Sequence, residues 1–310
     1  MTDSIEPATL SQEPEELPFI ERKNIHPLLF AFACLAIVFV LYQVVGGVVT
    51  YLFAGGAKVN RENVNALRTF TLIGQVLLIF LPTILLARLL TRDRKEVFRL
   101  RAPSWKESVS AAVALLSLQR ILEVYVYVQD YVLLPDFLRK ILEPIRQLME
   151  DVIKVLVRTD TVGEFLFVVA VVAVVPAIVE EFLFRGLVQK SFERTMNPLA
   201  AATLAGAIFG VFHFNPFELI PLICIGGFLG VLRFRSASIV LPVLMHFLNN
   251  FLAVVASTFH FGEQKIMIAP ATDQPGAMFL VIQFVVFGAL FGATMRIYFR
   301  VTERLAGVTQ

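Results

Sequence analysis

Residues 27 to 57 contain no charged side chain, and a stretch of that kind leaves a chain few ways to fold. A helix crosses a hydrocarbon core of about 30 Å in roughly 20 residues, and within lipid only helices and closed barrels satisfy their own backbone. Further apolar runs follow at 69–87, about 108–131, 165–187, 198–215, 217–234, 236–257 and 276–296. With 57% hydrophobic and 17% charged residues and a mean hydropathy of +0.75, the composition excludes an ordinary soluble domain. The predicted fold is all-α, a polytopic membrane protein of about eight transmembrane helices.

Residues 1–26 are acidic and polar and read as a tail. The run that follows is too long and too poorly flanked by basic residues for a cleaved signal, so it is expected to stay as an anchor. Arg120 and Glu123 interrupt the third run but lie three apart, close enough to pair on a face turned toward protein. Residues 137–156 mix charge with Leu and Ile in helical rhythm, which predicts an interfacial amphipathic helix broken near Pro144. The expected division is a tail (1–26), N-terminal membrane helices with the interfacial segment (27–160), a core (161–257), and a last helix with C-terminal tail (258–310).

Charge sets an expected orientation. Residues 88–106 hold seven Lys or Arg against Asp93 and Glu96, and basic segments stay on the cytoplasmic side. Eight crossings that begin there also put Arg185, Lys190 and Arg194, then Arg233 and Arg235, then Arg296, Arg300 and Arg304 inside. Both termini are therefore expected in the cytoplasm, with a bacterial inner membrane as the preferred setting. The basic stretch suits anionic lipid, and nothing in it reads nucleic acid. Gly206, Gly210, Gly226, Gly227 and Gly230 would let neighbouring helices approach closely, but they leave the oligomeric state open.

Cys34 and Cys224 lie inside apolar runs and read as buried thiols. There is no CxxC, GxSxG, HExxH or glycine-rich phosphate loop. Ionisable groups at membrane depth are costly and functional by default, so three segments stand out: 176-PAIVEEFLFRG-186, 209-FGVFH-213 and 246-HFLNN-250. Glu181 and Arg185 are four apart, acid before base, and can pair. Glu180 is turned by about 100° from Glu181, free to abstract a proton from water. The bland alternative is one structural ion network. Phe209 lies one turn before His213 and could wall a pocket, or His213 could simply bond a backbone carbonyl where Asn215 and Pro216 end the helix. His246 and Asn250 share a face and could donate to an oxyanion, or merely join helices. Asn249 points elsewhere and is the weaker candidate.

The linked trio EExxxR (Glu180 to Arg185), FxxxH (Phe209 to His213) and HxxxN (His246 to Asn250) resembles the signature of the CPBP intramembrane proteases, also called the Abi or CAAX-protease-like family. The similarity covers roughly residues 160–255. It implies a membrane endopeptidase, with relatives that trim prenylated CAAX proteins and others linked to bacteriocin maturation or immunity. Carried over, Glu180 and His213 would activate water, His246 and Asn250 would stabilise the oxyanion, and Glu181, Arg185 and Phe209 would support the site.

The resemblance leaves the metal open. Glu180, His213 and His246 are the candidate ligands of a zinc ion, whereas a Glu180 that acts as base is poorly placed to ligate as well, and the metal-free mechanism is preferred. The expected partners are membrane lipid and a peptide or protein C-terminus, prenylated or not. Two other classes compete: a proton-coupled transporter using the same groups as a relay, and a noncatalytic scaffold or bacteriocin-immunity protein. Because water must reach the site, a polar fissure is expected between the fourth, fifth and seventh spans.

Overall fold

The computed structural model describes residues 17–53, 60–93, 97–258 and 276–303. Most of the N-terminal tail, the final residues and the segment 259–275 lie outside the described residues, as do 94–96 within the basic stretch. Among the described residues there are no strands. After a short turn at Phe19–Arg22, the chain forms α1 (Pro27–Phe53), α2 (Val64–Leu90), α3 (Trp105–Leu133), α4 (Asp136–Val157), α5 (Val162–Glu193), α6 (Pro198–Phe212), α7 (Leu219–Ser236), α8 (Val240–Thr258) and α9 (Ala277–Val301). Seven of these are long and apolar enough to cross a membrane, which makes this an all-α polytopic membrane protein.

The one expected span that falls short of that length is the fifth, α6, only 15 residues, about 22 Å. It stops short because Phe214 takes a left-handed backbone, φ 50°, and Asn215 and Pro216 follow. Outside the core, apolar side chains stay exposed, among them Val281, Ile282, Phe284, Val285 and Val286 of α9. A patch of that size suits lipid and would be a liability in water.

α4 corrects one expectation. It runs unbroken through Pro144. Pro144 and Lys140 both sit on the exposed side, so the Lys140 carbonyl that loses its N–H partner is not sealed in the core. The helix is also turned inside out relative to a soluble amphipathic helix. Phe137, Ile141, Ile145 and Leu148, at spacings of four, four and three, are 63%, 64%, 49% and 65% exposed, while Arg146 turns inward to Asp130 of α3 with contacts of 2.6 and 2.7 Å. Asp130 holds the Arg146 guanidinium above its usual pKa through these bonds. At the far end of α4, fully buried Arg68 of α2 donates to the carbonyls of Leu156 (2.9 Å) and Arg158 (2.6 Å). A guanidinium there satisfies carbonyls that a helix end leaves open and suits its negative pole.

Two larger apolar cores result, with a small third where Val157, Val168 and Val254 join α4, α5 and α8. One joins α1, α2, α5 and α6, and the other joins α3, α7, α8 and α9. Glycine sets the distance between α6 and α7. A Cβ on Gly206 would lie 2.3 Å from the Gly227 nitrogen, and one on Gly226 would lie 2.8 Å from the Gly206 carbonyl. Gly227 departs from the expectation, since a Cβ there would meet nothing within 4 Å; it presents backbone to Gly206 and its own Cα hydrogen to open space. Gly206→Ala should therefore lower stability by about 1–3 kcal/mol, whereas Gly227→Ala should be neutral or slightly stabilising. Thermal unfolding of the two variants in detergent checks the contrast.

Candidate active site

The longest helix supplies the acids. α5 has 32 residues and contains wider π-helical turns at Val169–Val174 and Phe182–Val188, with Pro176 between them. Glu180 and Glu181 stand immediately before the second of these, and their side chains diverge. Glu181 and Arg185 are both completely buried, with Oε1 2.8 Å from Nη1. Arg185 also donates to the Gly226 carbonyl of α7 at 2.9 Å and lies over the Phe209 ring, 4.7 Å from its centroid. The close approach of α6 and α7 brings that carbonyl and that ring within reach together.

The same Glu181 Oε1 is 2.8 Å from Nδ1 of His246, which is 4% exposed. His213 caps α6, and its Nδ1 lies 2.7 Å from the Phe209 carbonyl. A carbonyl only accepts, so the His213 proton sits on Nδ1; the carboxylate at His246 orders that ring in the same way. Each Nε2 is left facing inward. Both face Glu180, whose Oε2 is 3.8 Å from Nε2 of His213 and 3.9 Å from Nε2 of His246. These separations are too long for direct hydrogen bonds. Glu180 Oε2 is buried without a protein partner. With neutral rings, three acceptors converge on one volume, and only a donor or a cation placed between them satisfies all three.

Phe209 walls this volume. Its ring centroid is 4.4 Å from that of His213 and 5.7 Å from that of His246, the latter edge-on. Thus Glu180, Glu181, Arg185, Phe209, His213 and His246 come together. For His213, the backbone-carbonyl reading and the pocket reading both describe one ring, through different nitrogens. Asn250 stands one turn beyond His246 on α8, but its amide turns to α5 and donates to the Val172 carbonyl at 3.2 Å. Pro176, four residues after Val172, has no N–H to offer that carbonyl.

The donor set is chemically suited to zinc, yet its spacing is not. Ligands about 2.0–2.1 Å from a tetrahedral ion lie roughly 3.3 Å apart, shorter than both separations at Glu180. Among the described residues, no group of three or more His, Cys, Asp or Glu is arranged to hold a metal ion.

Several polar partners escaped the sequence reading. Gln189, fully buried, donates to the Gly230 carbonyl at 3.1 Å and to Glu193 at 3.1 Å, and Glu193 in turn binds Arg233 of α7 at 2.7 Å. The signal was present in the spacing: Glu181, Arg185, Gln189 and Glu193 recur every four residues, opposite Gly226 and Gly230. Asn249 was also undervalued, since it bonds both Asn250 and Gln119 of α3.

A chamber of about 840 Å³ is lined in part by Asn215 and Asn249, near neighbours in the chain of His213 and Asn250. It lies between α3, α4 and α8 and under the loop 213–218, not in the fissure expected between α5, α6 and α8. Phe217 lines it as well, with Leu122, Val126 and Leu252 among its apolar walls. Phe217 is gripped from both sides: its carbonyl accepts from Gln129 at 3.0 Å, and Arg146 lies 4.5 Å above its ring.

Residues 162–252, from the start of α5 into α8, match the family of type II CAAX prenyl endopeptidase Rce1-like proteins. This segment is Rce1-like. It contains every residue of the three motifs and agrees with the CPBP resemblance, supporting a CAAX-type intramembrane protease in general terms. No curated protein and no solved structure matches the chain.

The buried pair beneath the Rce1-like site should be structural in its energetics. Arg185→Met would leave Glu181 buried beside His246 without its guanidinium, a loss of about 3–5 kcal/mol. The double variant Glu181→Gln with Arg185→Met should lose less than the sum of the two singles. A thermal-unfolding double-mutant cycle measures the difference.

Proposed function

We propose that this chain is an intramembrane endopeptidase in which Glu180 activates the water that attacks a peptide carbonyl. The observation that carries the reading is the buried, unpartnered Glu180 Oε2 facing two imidazole Nε2 atoms across gaps wide enough for a water molecule. Water there would donate to Glu180 and to His213 Nε2. As its oxygen attacks, its proton passes to Glu180, the carbonyl becomes an oxyanion, and the proton is later delivered to the departing amine.

His246 and Asn250 are the proposed oxyanion donors. In that role His246 carries both ring protons, one shared with Glu181 and one directed from Nε2 into the cavity. Asn250 would exchange its 3.2 Å bond to Val172 for a bond to the developing charge. Phe209 and Arg185 hold the rings in place. The step uses no metal, in keeping with the wide spacing of the candidate ligands.

The chamber is the proposed route for substrate. Its volume is within the usual range for ligand sites, and it joins apolar walls to polar groups beside His213 and Asn250. A peptide C-terminus, including a prenylated CAAX end, is the substrate class that the family match supports. The proposed setting is a bacterial inner membrane in which the short α6 makes an eighth crossing, which puts the basic stretch 88–106 and both termini in the cytoplasm. The proposed core is 161–257, with 1–26, 27–160 and 258–310 as tail, N-terminal helices and C-terminal part.

Purified protein should cleave a lipidated CAAX peptide or a member of an unlipidated peptide library, and Glu180→Gln should reduce turnover by about 10²–10⁴-fold while unfolding at the wild-type temperature. Equal cleavage by the folded variant would remove Glu180 from the chemistry. Activity should also survive exhaustive chelation, with substoichiometric zinc by elemental analysis. Zinc whose removal and return switch cleavage off and on would overturn the metal-free step.

A further inference from the structure

The polar contacts of Asn250 form a directed chain that reaches outside the Rce1-like segment. Gln119, on α3, donates from Nε2 to Asn249 Oδ1 at 2.9 Å; Asn249 donates from Nδ2 to Asn250 Oδ1 at 3.2 Å; Asn250 donates from Nδ2 to the Val172 carbonyl at 3.2 Å. The last acceptor determines the sense of the whole chain. A carbonyl cannot donate, so the Asn250 amide nitrogen must face Val172, which leaves its oxygen for the Asn249 nitrogen. The Asn249 oxygen is then left for Gln119. Reversing the Asn249 or the Asn250 amide would set like atoms against each other at two places, and reversing Gln119 would do so at one.

The sequence creates both ends of this chain. Pro176 withholds the N–H that an α-helix would give to Val172, which favours a side-chain donor at that carbonyl. At the other end, α3 packs against α8 and brings the Gln119 carboxamide, next in the chain to Leu118 and within one turn of Leu115 and Leu122, to the edge of the chamber. A carboxamide in a membrane helix is costly unless its hydrogen bonds are satisfied. Gln119 and Asn249 also line the 840 Å³ chamber, while Asn250 does not.

We propose that Gln119 is a positioning residue for hydrolysis, acting through Asn249 to hold the Asn250 amide oxygen so that its N–H groups, one of which bonds Val172 in this structure, stay available to the developing oxyanion. This rests on the proposed oxyanion role of Asn250. Asn250 has one bond on its oxygen side to keep it from rotating, and that bond is only as directional as the Asn249 amide behind it. Gln119 fixes that second amide from a helix that contributes no motif residue. Because the two outer members face the chamber, a substrate lying there touches the same groups that set the orientation of the third.

The test is a kinetic double-mutant cycle on the full-length protein in detergent. Gln119→Met keeps the length and shape of the side chain without its donor; it should lower kcat by about 10- to 100-fold and leave KM within about twofold, because what is lost is alignment at the transition state. Asn250→Ala should lower kcat by about 10²–10³-fold, and in that background Gln119→Met should change kcat by less than about twofold. Gln119→Glu, which places an acceptor against the Asn249 oxygen, should match or exceed the Gln119→Met defect, and this second variant preserves the test if the first does not fold. An unaltered kcat in a folded Gln119 variant, or a Gln119 defect that is undiminished without Asn250, would overturn the positioning role while leaving peptide hydrolysis in place. A fully active Asn250→Ala would instead remove the oxyanion assignment on which it rests.

Discussion

One oxygen organises this protein. Glu181 Oε1 meets Arg185 of its own helix and His246 of α8, each at 2.8 Å, where all three side chains are buried. A carboxylate in such surroundings persists only with charged or donating partners, so α5 and α8 must register to within the length of a hydrogen bond. Arg185 extends the constraint to the Gly226 carbonyl, which it reaches because Gly206 and Gly226 let α6 and α7 close together. Remove the oxygen and no single distance still ties α5 to both α7 and α8 at this depth. The two imidazole nitrogens that face Glu180 are a consequence, since one ring is held by this oxygen and the other by the helix that Phe209 packs against it.

The division between Glu180 and Glu181 follows from the same arrangement. Adjacent residues on a helix point about 100° apart, so when one is committed to the interior between α7 and α8 the other turns toward the rings. That much was legible in the sequence, because i, i+4 spacing translates directly into shared faces; the Glu181–Arg185 and Arg120–Glu123 pairs both form as spacing suggested. The helical class and the membrane setting were legible too, from uncharged runs alone. Contacts between helices were not. Nothing in the local pattern says that Gln119 of α3 meets Asn249 of α8, or that Gly227 opens onto empty space while Gly226 meets backbone, because both depend on the rotation of one helix against another. The chamber was not legible for the same reason: its location depends on how α4 sits against α3 and α8, which sequence spacing does not specify.

Proline has opposite consequences at two places, and burial decides which. Pro144 in α4 costs a backbone bond on an exposed side, where the freed carbonyl is not sealed in the core, and the helix continues. Pro176 in α5 is buried, and the carbonyl it leaves at Val172 is met by the Asn250 amide of a neighbouring helix. A break in backbone pairing that would be expensive inside a membrane protein thus becomes the anchor of a side chain. The wide turns of α5 on either side of Pro176 belong to the same accommodation, since wider turns absorb the missing donor without ending the helix.

The proposed hydrolysis would require water beside the substrate, and α4 supplies both charged and apolar surroundings with one helix. Its Phe and Ile side chains point away from the protein, while Arg139, Glu143, Arg146 and Glu150 line the chamber. Held in that orientation by Asp130 near its middle and by Arg68 at its C-terminal end, the helix places a charged lining next to Leu122, Val126 and Leu252 of the opposite walls. Charged groups keep such a space hydrated, and the apolar walls give a lipid-like or aliphatic segment somewhere to lie. An ordinary amphipathic helix, apolar side inward, would close this space with a dry seam and expose its charges to lipid. On the proposed reading, the inverted orientation gives the chamber a charged lining without opening the helix bundle around Glu180.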